Sequence, residues 1–98
     1  MNPVEEEWQR RRLSAAAQSA VEEILPTVMR NPTVTQKTVA RIVALACFTK
    51  GVTDDDAIDR LFDVRSCVKQ DACKVRNALR PIMGDFLTLA HARMAEVA

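Results

Sequence analysis

Tyrosine is absent from this chain, glycine occurs only as Gly51 and Gly84, and aromatic residues make up 4% of the whole. A small β-sandwich or barrel draws on turn glycines and on aromatic strand residues, so the shortage points to helices. Two separate glycines cannot build a phosphate-cradling loop either. Cysteine is scarce and odd in number, with Cys47, Cys67 and Cys73 and no C-x₂₋₄-C spacing. An odd count argues against a disulfide framework and for a reducing compartment. His91 is the one histidine, so no H-x₃₋₅-H pair completes a metal set, and no metal site is expected. It has no sequence-local Ser or Cys arrangement resembling a nucleophile and base, and Asp85 falls on another helix face. No catalytic residue, cofactor or small-molecule substrate is therefore expected, and the chain reads as a non-enzyme.

Excess charge of one sign is missing as well: 14 Lys and Arg against 13 Asp and Glu leave a net +1. No global field pulls the chain toward phosphate backbones or anionic lipid. No apolar run approaches the roughly 20 residues that span a bilayer, and the stretch Met1 to Glu7 is acidic where a secretory signal is basic. A cytoplasmic protein without membrane contact is the expectation. What is present is 98 residues at 48% hydrophobic and 28% charged, enough for one modest core. The expected organisation is a single helical domain over 1–98. Its fold class is all-α, a compact orthogonal or bundle-like arrangement of four to five helices.

Helix starts and stops are written locally. Asn2, Pro3 and the run Glu5 to Glu7 mark a first helix beginning near residue 3 and running to Leu25, where Pro26 ends or kinks it. A further turn at Thr27 to Arg30 leads to Asn31 and Pro32. Thr33 with Gln36 three residues on forms a capping-box pair, and Gly51 closes the second helix. Its central stretch, Thr38 to Lys50, is apolar round the whole circumference from Val39 to Phe48 except at Arg41, and such a helix must be covered on all sides. Thr53 followed by Asp54, Asp55 and Asp56 starts a short third helix with Ala57, Ile58, Leu61 and Phe62 on one face, ending near Val64. From Ser66 a fourth helix carries Val68, Ala72, Val75 and Leu79 at amphipathic spacing. Pro81 and Gly84 interrupt it, and Asp85 is the expected cap of a last helix with Leu87, Ala90, Met94 and Val97.

Three charged or aromatic features compete with plainer readings. In the block Glu5 to Arg12 the i, i+4 pairs Glu6–Arg10 and Glu7–Arg11 support the helix itself. Trp8 lies with Val4 and Ala15 roughly 140° from the stripe Leu13, Ala17, Ala20 and Ile24, so the two faces do not enter one core together. Either the first turns bend over to bury Trp8, or Val4, Trp8, Arg11 and Arg12 dock on a partner. Arg65, Lys69, Arg76 and Arg80 share roughly a 60° arc if 65–80 is one helix, a ridge able to grip nucleic acid or an acidic partner. The plainer alternative there is a solvated face whose stems cover apolar surface. A helix-turn-helix over 38–64 fails because Asp54, Asp55 and Asp56 would lead into the major groove. They read as helix stabilisers or as an acidic patch for a basic partner.

The function expected from sequence is a small helical protein–protein interaction module, an adaptor, inhibitor or regulatory subunit acting by surface occupation. Another protein is the expected partner. A homodimer is favoured, because the cover for Val39 to Phe48 looks scant and the acidic turn can meet the basic ridge of a second copy. The alternative is a nucleic-acid-binding regulator using the 65–80 face.

Overall fold

The first two helices begin where a side chain replaces a missing backbone partner. Asn2 Oδ1 accepts from the Glu5 amide at 2.9 Å, and Pro3 opens α1, Pro3–Ile24. Thr33 and Gln36 cap reciprocally: the Gln36 amide donates to Thr33 Oγ1 at 3.1 Å and the Thr33 amide to Gln36 Oε1 at 2.9 Å. That capping box starts α2, Val34–Lys50, which Gly51 ends at φ +64°, a left-handed value glycine adopts without steric cost. Then follow α3, Asp55–Arg60, α4, Ser66–Leu79, and α5, Met83–Val97. The computed structural model describes residues 2–52, 55–60 and 66–98, with the side chains at 55, 58, 59 and 66–69 outside the description. Among the described residues every regular element is helical and no strand occurs.

Two connections and one helix cap differ from the sequence expectation. The turn after α1 is a 3₁₀ turn at Leu25–Thr27, not Thr27 to Arg30, because Pro26 takes the first-turn position where its missing N–H costs nothing. Asn31, at φ +50°, then reverses the chain into Pro32. After α4 only Pro81 interrupts, within a 3₁₀ turn at Arg80–Ile82, while Gly84 lies inside the first turn of α5. Asp85 does not cap that helix. It sits in the first turn, where its charge complements the dipole, and Ile82 holds the cap position without a side-chain bond. The expected cap at Thr53 and Asp54 and the apolar positions Leu61, Phe62 and Val64 lie outside the described residues.

Packing follows from small residues at the helix contacts. Ala17 and Ala20 of α1, Ala40 and Ala44 of α2 and Ala90 of α5 are fully buried, and short side chains let helix axes approach closely. Phe86, Leu25, Leu79, Met94, Val21, Val39 and Val75 fill the remaining space. These residues form one cluster fed by α1, α2, α4 and α5. A smaller cluster of Val43 and Cys47 with Val52 and Leu87 sits at the Gly51 end of α2. The Cα radius of gyration, 13.2 Å, is that of a compact chain of this length, about 13 Å.

Helix α1 runs antiparallel to α5. Gln9 reaches Val97 at one end, and Arg93 bonds both Ser19 and Glu23 further in. The all-round apolar helix α2 is covered by its own chain: Val39, Ala40, Val43, Ala44, Ala46 and Cys47 are buried, and Leu45 and Phe48 pack at the core edge. Of the stretch Val39 to Phe48, Ile42 alone is an exposed large hydrophobic, at 38%. The expected shortage of cover is thus corrected, since α1, α4 and α5 supply it, and α2 no longer argues for a second chain.

Candidate protein-binding surface

The N-terminal part of α1 outruns the bundle. Every residue from Asn2 to Trp8 is exposed, and the first tertiary hydrogen bond along the helix is Gln9 Nε2 donating to the Val97 carbonyl at 3.1 Å, near the end of α5. Two turns of capped helix stand clear of the core. They do not bend back, so the reading in which Trp8 is buried locally is excluded: Trp8 is 65% exposed and Val4, one turn earlier, 64%.

Val4 and Trp8 make an apolar ridge with a shallow depression on either side. One is lined by Val4, Glu5, Trp8, Gln9 and Arg12, the other by Pro3, Val4, Glu7, Trp8 and Arg11. Each flank therefore carries one acid toward the helix start and one arginine toward the bundle. Arg11 Nε donates to Glu7 Oε1 at 3.1 Å, and Arg10 lies 4.0 Å from Glu7 Oε2. Arg10 thus turns to Glu7 at i, i+3, not to Glu6 at i, i+4 as the sequence suggested. These ion pairs are open to water and contribute little, about 0–1 kcal/mol each. Ala15, two turns on from Trp8, is exposed as the wheel placed it, while Ala17 and Ala20 are buried.

Of the basic ridge, Arg76 and Arg80 are the members whose side chains are described. The α-helix stops at Leu79, so Arg80 stands exposed in the following 3₁₀ turn, and Arg76 is half-buried. Arg65 and the side chain of Lys69 lie outside the described residues. In the acidic patch Asp56 is exposed in α3, whereas Asp54 and the side chain of Asp55 lie outside the description.

Sequence reasoning missed the tertiary partners of this region. Gln9 and Val97 are 88 positions apart, and no local pattern pairs them. His91 packs edge-on against Phe48 with ring centroids 5.5 Å apart. Cys47 is buried and Cys73 exposed, both as free thiols. Among the described residues no group of three potential metal ligands comes together, and no helix is long and apolar enough to cross a membrane. No protein-family model matches the chain, and neither a curated protein nor a solved structure is significantly similar to it.

Proposed function

We propose that the protein is a small helical protein–protein interaction module, non-enzymatic and self-associating, which acts by presenting the Val4, Trp8, Arg11 and Arg12 face of α1. The observation that carries this reading is the exposed Trp8 on a helix end that its own bundle leaves uncovered. Covering the open part of an indole removes on the order of 100 Å² or more of apolar surface, about 3 kcal/mol, and tryptophan and arginine are both residue types enriched at interface hot spots. The chain acts as one unit over 1–98, four to five helices in a bundle-like arrangement. Support for that comes from the single core cluster to which α1, α2, α4 and α5 all contribute. A cytoplasmic setting belongs to the same reading and rests on the odd cysteine count and on the free thiols Cys47 and Cys73.

The test is affinity capture from the native host with the wild-type chain and with Trp8→Ala, read for both protein and nucleic acid. A specific protein held by the wild type and lost from a folded Trp8→Ala variant is the expected result. Retention of the same proteins by both chains would remove the α1 face from the mechanism. Capture of nucleic acid that weakens steeply with salt and depends on Arg76 and Arg80 would favour a nucleic-acid-binding regulator instead.

A further inference from the structure

Taking Val4, Trp8, Arg11 and Arg12 as a docking face, as the proposed function does, we propose that its occupant is the same face of a second copy, with the two α1 helices antiparallel across a two-fold axis at the level of Gln9. Val4, Trp8, Arg11 and Ala15 step by 4, 3 and 4 and share one side of the helix, the spacing of a two-helix seam. All four are exposed. The first two turns of one copy then lie along the exposed Arg11, Arg12 and Ala15 of the other.

Charge selects both the partner and the direction. Glu5 and Arg12 line one flank of the Val4–Trp8 ridge, and Glu7 and Arg11 line the other. A two-fold axis perpendicular to antiparallel helices brings each flank against the same flank of the second copy with its ends exchanged. Glu5 therefore faces Arg12 of the second copy, and Glu7 faces Arg11 of the second copy, at both ends of the seam. A parallel pairing would instead set acid beside acid and arginine beside arginine, which is repulsive. The surface is self-complementary in one orientation alone. Glu5 and Arg12 enter no ion pair among the described residues, and the Glu7–Arg11 pair is water-exposed, so exchanging it for a pair across the seam costs little. A seam of four side chains per copy is smaller than the roughly 800 Å² per partner of a standard interface, the size class of weak, reversible association.

Sedimentation equilibrium of the full chain from about 10 to 500 μM, at low and high salt, tests this. The expected result is a monomer–dimer equilibrium that salt weakens. Glu5→Arg with Glu7→Arg, or Arg11→Glu with Arg12→Glu, each weakens self-association about tenfold or more, and an equimolar mixture of the two recovers it as a mixed dimer. Circular dichroism checks that both variants remain helical, and because each is judged against the mixture, a loss of fold would show as a failure to recover. A monomer throughout the concentration range, or self-association unchanged by either charge reversal, overturns the pairing. The two readings fail separately. A monomer whose Trp8-dependent capture of another protein persists removes only the second copy as occupant, whereas a charge-dependent dimer that captures nothing through Trp8 removes only the heterologous partner.

Discussion

Gln9 and Val97 meet through a single hydrogen bond, Nε2 to backbone carbonyl at 3.1 Å, and that bond marks where α1 parts from α5. Everything before it in α1 is exposed, so the helix has a structural portion and a presented portion. Removing residues 1–8 should therefore leave the fold intact, with a loss of less than about 1 kcal/mol in urea unfolding, since every described side chain deleted is exposed. Gln9→Ala should cost about 1 kcal/mol, the net worth of an ordinary hydrogen bond, despite changing one residue. A truncation that unfolds the protein would show that the first two turns are part of the core.

Arg93 is the second tie between α5 and α1. Nη1 donates to Ser19 Oγ at 2.9 Å and Nη2 lies 2.8 Å from Glu23 Oε2, with the arginine side chain only 27% exposed but Glu23 58% exposed. Water screening on the Glu23 side discounts the ion pair. Arg93→Ala should cost about 1–2 kcal/mol, the sum of two modest bonds and a lost stem. Arg93→Lys should recover only part, because an ammonium cannot hold both oxygens in the planar fork. Chemical denaturation of the two variants orders them, and equal stability of Arg93→Ala and wild type would assign the contact no structural weight.

Gln36 does three jobs. It completes the capping box with Thr33 and extends Nε2 toward Asp71 Oδ1 of α4 at 3.4 Å, while being 91% withdrawn from solvent by its 9% exposure. Thr33→Ala removes one cap bond and should cost about 1 kcal/mol. Gln36→Ala should cost more, about 2 kcal/mol, because it also leaves the Thr33 amide and Asp71 without that partner. Thermal melts of both variants check the order. The reverse order would mean that the Asp71 link carries no energy.

Thr33, Gln36 and Gly51 show why so much of the fold was legible in the sequence: a cap is a contract between neighbours in the chain, and its residues sit within four positions of each other. Pro26 marks the break from local chemistry alone, whereas the full burial of Leu25 beside it is tertiary. The burial of α2 was misjudged for the same reason. Periodicity reports how apolar a helix is, not how closely alanines such as Ala17, Ala20 and Ala90 let its neighbours approach. For the candidate surface the wheel separated Trp8 from Leu13 and Ala17, yet only the position of the end of α5 decides whether α1 bends or projects. The 65–80 ridge assumed an unbroken helix, and Pro81 ends it one residue before Arg80.

Cys47 and Cys73 offer a chemical test of the interior. Burial pushes the Cys47 thiol up from its ordinary value, because a thiolate at the Val43–Val52–Leu87 cluster loses its hydration. Cys73 lies exposed on α4. In a Cys67→Ser background at pH 8, one thiol should react with a disulfide reagent at once and the second only as the chain opens, the two rates merging in denaturant. The same shift has a stability consequence of definite sign. The unfolded chain gives up its Cys47 proton near pH 8.5, about the ordinary value, while the folded chain holds it. The contribution is therefore complete below that pH and is lost as pH rises from there through the raised folded value. Unfolding free energy measured from pH 7 to 10 should decline more steeply for the wild type than for Cys47→Ala. A wild-type slope no steeper than that of the variant would mean that the thiol is hydrated in the native state, and with it that the Gly51 end of α2 is open to water.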